Sequence, residues 1–181
     1  LFELLKKSTP SRIVNVSSQA HRQPTAFDEA EIMPASTSNQ SPMQRYGLTK
    51  LYNVMFVKEL TRRMEASGVE GVTVAACHPG LSVSGLTSKT ASASSSWLWW
   101  LFYSLAAYAP SQSSAMGALP TLYAAVGAEV EGGDFFGPKR LGLWGYPIRE
   151  IPSELSESAD AAKKLWAFSE KLARLSFDVS K

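Results

Sequence analysis

Tyr46 and Lys50 stand four residues apart in the stretch SPMQRYGLTK. On a helix, that spacing puts both side chains on one face. A phenol has an ordinary pKa near ~10 and is a poor base at neutral pH. An ammonium beside it stabilises the phenolate, and the pair can then pass a proton to or from an oxygen atom. Ser18, 28 positions before Tyr46, adds a hydroxyl. A serine O–H can donate to a carbonyl oxygen as that oxygen gains negative charge. Serine, tyrosine and lysine together suit the interconversion of a carbonyl and an alcohol. In that reaction hydride moves to or from carbon, and no side chain carries hydride. A nicotinamide cofactor, NAD(P)(H), is therefore implied.

By itself, Tyr-x-x-x-Lys is a weak signal, so the elements around it must place the three groups together. RIVNVSS (12–18) is a short β-branched run and reads as a buried strand. Residues 19–41 are polar and proline-containing, and read as a loop. Ser41, Pro42 and Gln44 then make a helix start, with a capping residue, a proline at the first helical position and a capping box. Gly68 is a natural stop, so the spacing predicts a helix over 42–67. GVTVAAC (71–77) reads as a second buried strand, broken by His-Pro-Gly. Strand, helix, strand is a βαβ unit and implies a parallel sheet. Ligands of such sheets bind beyond the carboxyl ends of the strands. Ser17–Ser18, Pro79–Gly80 and the start of the Tyr46 helix all fall at that edge. Further along, 97–108 and 113–127 read as helices, 132–137 as a short last strand, GLWGYPIREIPSE as a loop and 158–175 as an amphipathic helix.

The 181 residues are 45% hydrophobic and 19% charged, enough for one globular domain with a sizeable core. A net charge of +2 makes no case for nucleic acid, and KELTRRM reads as a solvated helix face. Cys77 is the only cysteine, which excludes an internal disulfide and a Cys-rich zinc site and fits a reducing, cytoplasmic setting. Asp28, Glu29 and Glu31 have no His or Cys at ligand spacing, so no metal is expected. The aromatic run WLWWLFYSLAAYA (97–109) is shorter than the ~20 residues of a membrane span. It reads as a buried or interfacial helix rather than a membrane span. His78, Asn15 and Cys77 read as structural, and His21 as a loop hydrogen-bonder or, alternatively, a substrate contact. The helix over 42–67 is apolar on more than one face, which allows a homodimer.

With these motifs in hand, the chain resembles the short-chain dehydrogenases/reductases, and within them the retinol-dehydrogenase-like branch. RIVNVSSQAH, YGLTKLYNVMFVKEL, VTVAACHPGLSVSGL and DAAKKLWAFSEKL carry the resemblance across nearly the whole chain. It implies a Rossmann-type, doubly wound parallel α/β sheet. It also implies roles: Ser18 orients the substrate, Tyr46 is the acid/base, and Lys50 binds the nicotinamide ribose and tunes the tyrosine. Pro79 and Gly80 match the turn beside the nicotinamide, and Ser84 stands where the family usually has a threonine that bonds the cofactor. The resemblance puts a substrate lid at about 81–112, so the aromatic run reads either as core or as part of that lid, which could also rest on a membrane surface.

One departure matters. The family's glycine-rich turn, its adenosine-ribose reader, its Asn-Asn-Ala-Gly stretch and its catalytic asparagine belong upstream of the serine strand, and this sequence has none of them. Residues 1–8 look like the end of the helix that should carry the asparagine. The resemblance thus implies a carboxyl-terminal portion of a domain of about 300 residues, with little cofactor binding or turnover on its own. The expected activity is NAD(P)-dependent alcohol/carbonyl oxidoreduction on a lipophilic small molecule such as a retinoid, steroid or long-chain aldehyde. Three alternatives remain at this level: a protochlorophyllide-reductase-like C=C reductase, a non-catalytic nicotinamide-binding relative, and an inactive truncated product.

Overall fold

The computed structural model describes residues 1–32, 40–82 and 112–180. Four strands form one sheet: β1 (Ser11–Val16), β2 (Val72–Cys77), β3 (Phe135–Arg140) and β4 (Trp144–Arg149), in that spatial order. The first three run parallel, and β4 returns antiparallel to β3. Helix α1 (Phe2–Lys7) precedes β1, and α2 (Pro42–Ala66) crosses from β1 to β2. Helix α3 (Ser114–Val126) leads to β3, while α4 (Glu154–Glu157) and α5 (Ala159–Ala173) follow β4. This is the α/β, Rossmann-type arrangement expected.

Alternation along β2 decides which helix covers which face. Val72, Val74 and Ala76 point to one side and pack with Val54, Val57, Leu60 and Met64 of α2 and with Trp166 of α5. Ala75 and Cys77 point to the other side and pack with Ala124 of α3, Val130 and Phe136. Both faces are thus covered, as a parallel sheet requires. The second apolar face of α2, Leu51 and Met55, meets Ala161, Ala162 and Leu165 of α5, so α5 covers it within this chain. Each buried valine, leucine and methionine among them contributes roughly 1.5–3 kcal/mol.

The start of α2 forms as its sequence demands. Ser41 Oγ accepts from Gln44 N at 3.3 Å, and Ser41 N donates to Gln44 Oε1 at 2.8 Å. The helix ends at Ala66, and Gly68 takes a φ of +65°.

Two expectations fail. GLWGYPIREIPSE is not all loop, because Trp144–Arg149 is strand β4. Its proline faces another proline, Pro147 opposite Pro138, beside a bulge between Pro138 and Arg140. Neither residue has an N–H to lose, so the edge of the sheet tolerates both. KELTRRM is not a uniformly solvated face either. Glu59 is only 2% exposed and is clamped by Arg62 and Arg63, and the Arg63 guanidinium lies 4.4 Å from the Trp166 ring. A carboxylate can be buried there because two guanidiniums neutralise it.

Candidate functional site

Three backbone ends meet at the carboxyl edge of β1 and β2. Ser17 and Ser18 follow β1, His78–Pro79–Gly80 follows β2, and Tyr46 lies one turn inside α2. Ser17, not Ser18, is the buried member of its pair. Ser17 Oγ donates to the Lys50 carbonyl at 2.7 Å and Ser17 N donates to the Cys77 carbonyl at 2.7 Å, tying β1 to both α2 and β2. Ser18 is half-buried and caps the 3-10 turn Gln19–Arg22. Its Oγ accepts from Ala20 N at 3.3 Å, which leaves its own O–H proton to point elsewhere.

Gly47 explains how that turn approaches Tyr46. A Cβ at Gly47 would lie 2.9 Å from the Ala20 carbonyl oxygen and 3.3 Å from Gln23 Oε1. Only a residue without a side chain lets the Ser18–Arg22 turn lie this close to α2 beside Tyr46.

Lys50 does face Tyr46. Its Nζ lies 5.6 Å from the centroid of the Tyr46 ring, within range of cation–π attraction. The same Nζ donates to the Val16 carbonyl at 3.2 Å, and Asn53 Nδ2 donates to that oxygen at 3.0 Å. The last carbonyl of β1 therefore aims the ammonium. Asn15 Nδ2 donates to the Asn53 carbonyl at 3.4 Å, a structural role as expected. Thr49 is turned away, its hydroxyl donating to the Tyr46 carbonyl at 2.8 Å.

Pro79 and Gly80 occupy the same edge. Gly80 has a φ of +66°, and a Cβ there would lie 2.5 Å from the Leu143 carbonyl oxygen. The turn is thus pressed onto the β3–β4 connection. The Pro79 carbonyl accepts from Gln112 Nε2 at 2.7 Å. Ser82 and Gln112, near the two ends of the expected lid, form an isolated parallel bridge. Ser84 and the aromatic run 97–109 lie outside the described residues.

Residue types alone did not reveal Gly47, Asn53 and Ser17 as positioning contacts. A glycine inside a strong helix costs about 1 kcal/mol relative to alanine, so Gly47 was the one available signal. His21 and His78 are both fully buried at this edge, His21 beside Ser18 and His78 beside Pro79. Burial pushes His21 down to about 4 from 6.5. It also pushes the Cys77 thiol up, and Cys77 Sγ sits 3.3 Å from Thr121 Oγ1. Among the described residues, no cluster of three or more His, Cys, Asp or Glu is arranged to hold a metal ion. No helix among them is long and apolar enough to cross a membrane. A groove of about 620 Å³ between α2 and α5, lined by Tyr52, Phe56, Leu165 and Trp166, reaches Asn53 but is lined by none of Ser18, Tyr46, Lys50, Pro79 and Gly80.

No family model matches the chain. Individual proteins do. The chain is 34% identical over 182 residues to retinol dehydrogenase 13 of Homo sapiens, covering 97% of this chain and 49% of that protein. It is 30% identical over 183 residues to the WW domain-containing oxidoreductase of Gallus gallus, covering 96% of this chain and 40% of that one. A crystal structure of an uncharacterized protein from Mycobacterium Paratuberculosis superimposes with a TM-score of 0.68 at 31% identity, over 97% of this chain and 56% of that one. The chain therefore spans about half the length of the curated relatives it matches. Fold, motifs and relatives agree: the chain belongs to the short-chain dehydrogenase/reductase family, on its retinol-dehydrogenase-like branch.

Proposed function

We propose that this chain supplies the proton-handling half of an NAD(P)-dependent oxidoreductase that interconverts an alcohol and a carbonyl. The observation that carries the reading is the Lys50 ammonium, 5.6 Å from the Tyr46 ring on the edge where Ser18 also emerges. Tyr46 gives a proton to the substrate oxygen in reduction and takes it back in oxidation. Ser18 donates a hydrogen bond to the same oxygen, orienting it toward the phenol. Lys50 supplies positive charge beside that phenol.

The donor set also fits the hydroxyls of a nicotinamide ribose. An ammonium has three N–H donors, and Lys50 spends one on Val16 O, leaving donors for a diol next to the Tyr46 phenol. Pro79 and Gly80 form the wall beside it, and Ser84 would add a hydroxyl. When bound, the cofactor supplies the hydride chemistry that no side chain can.

Two observations support a substrate class. Five aromatic residues between Trp97 and Tyr103 suit a lipophilic alcohol or aldehyde, and a membrane surface as the place where such a molecule is met. The name of the human relative, retinol dehydrogenase 13, supports the same class.

The assay uses a chain of the relatives' full length, because this one spans about half of it. Nicotinamide absorbance is followed with a long-chain aldehyde. Ser18→Ala and Lys50→Met are each expected to lower turnover by about 100-fold or more. Turnover unchanged in both variants would contradict the reading.

A further inference from the structure

We propose that His21 is a positioning residue for Ser18: its imidazole, held as the Nδ1–H tautomer, fixes the Ser18 carbonyl and with it the direction of the Ser18 hydroxyl. The inference rests on the reading of Ser18 given above. His21 is fully buried, and its Nδ1 lies 2.6 Å from the Ser18 carbonyl oxygen. Its Nε2 lies 3.1 Å from Ser153 N. A backbone N–H can only donate, so Nε2 must accept and the ring proton must sit on Nδ1.

The same carbonyl oxygen also accepts from His21 N at 3.0 Å. Both lone pairs of Ser18 O are therefore used, and the Ser18–Gln19 peptide cannot rotate without breaking two bonds. Ser18 Oγ is in turn tethered by Ala20 N at 3.3 Å. The anchor at the far end, Ser153, is 132 positions away in sequence, so the Ser18 turn is referenced to the segment after β4.

Phe135 holds the ring in place. His21 meets it edge-on, with centroids 4.9 Å apart and planes at 62°. His78 stacks on the same phenyl ring at 5.3 Å and 28°, and its Nδ1 accepts from Gly80 N at 3.2 Å. One phenylalanine thus braces two imidazoles, one on each loop of the candidate site.

If the ring merely fills space, any replacement acts through stability alone. Two amides separate that role from positioning. The Nδ2 of asparagine falls where Nδ1 of histidine lies, so His21→Asn keeps the donor to Ser18 O. The terminal group of glutamine falls near Nε2, so His21→Gln keeps the Ser153 contact and loses Ser18. In the full-length protein His21→Gln is expected to lower kcat about 100-fold with KM within about 3-fold of the parent. His21→Asn should stay within about 5-fold in kcat at a comparably lowered unfolding midpoint. Equal kcat losses in the two variants, or losses that track the midpoint, overturn the proposal. Nitrogen NMR of the imidazole provides a readout without turnover. The expected result is a proton on Nδ1 throughout pH 6–8, and an Nε2–H tautomer overturns the proposal. If Ser18→Ala itself leaves turnover unchanged, the reading of Ser18 fails and takes this inference with it. If Ser18→Ala is damaging and His21→Gln is not, only the inference fails.

Discussion

Gly47 and Ala20 are in contact through backbone alone: a Cβ on Gly47 would lie 2.9 Å from the Ala20 carbonyl oxygen. This single approach sets the Ser18–Arg22 turn against α2, next to Tyr46. Valine at position 47 must displace that turn, because a carbonyl oxygen in a hydrogen-bonded turn cannot swing aside like a flexible side chain. Gly47→Val is expected to destabilise the protein by about 1–3 kcal/mol, the usual range for overpacking. A urea unfolding midpoint equal to the parent's contradicts the contact. Gly47→Ala is the milder case, since alanine regains about 1 kcal/mol of helix propensity, and its midpoint should fall less than that of the valine variant.

His21 makes stability depend on pH. The folded chain holds it at about 4, chiefly through burial, whereas the free side chain titrates at 6.5. The hydrogen bond to the Ser18 carbonyl opposes burial, Arg22 and His78 lower the value further, and Glu150 raises it. Between those two values the unfolded chain binds a proton that the folded chain refuses, so stability rises with pH. The contribution is complete above pH 6.5 and is lost as pH falls toward 4. Its full size is about 3 kcal/mol. Unfolding measured at pH 7 and pH 4.5 should show a larger loss for the parent than for His21→Asn. Equal losses contradict a neutral, buried His21.

Glu59 is the buried anchor of two arginines. Its carboxylate is 3% exposed, while the Arg62 and Arg63 side chains are about one-third exposed. Glu59→Ala frees both guanidiniums to turn toward water, so the cost should fall near the lower end of the range for a broken buried pair, about 2–3 kcal/mol. Arg63→Lys keeps the charge but loses the guanidinium's contact with the Trp166 ring, and is expected to cost about 0.5–1 kcal/mol. Chemical denaturation measures both. A neutral Glu59→Ala contradicts the clamp.

The parts of this molecule that were legible in the sequence depended on near neighbours. The capping box at Ser41 and Gln44, the stop near Gly68 and the β-branched runs of β1 and β2 each declare themselves within a few residues. Those elements fix a crossover, and a crossover fixes which edge of the sheet receives Ser18, Tyr46 and Pro79. The illegible parts depended on partners far along the chain. Glu59 looked solvated because nothing near it in sequence reveals Trp166 of α5. The strand β4 was hidden by its glycine and proline, whose cost vanishes only because Pro147 faces Pro138 at the sheet edge. His21 gave no sign of its partner, since Ser153 is 132 positions away.

The central claim is that Tyr46 moves the proton. Its most direct test is kcat for carbonyl reduction by the full-length protein carrying Tyr46→Phe, with circular dichroism confirming an unchanged fold. Removing one hydroxyl from a half-buried ring leaves the packing of α2 intact but removes the only group proposed to exchange a proton with substrate. The expected result is a fall in kcat of about 100- to 10,000-fold, the range of general acid–base catalysis. A variant that turns over at close to the parent rate contradicts the account.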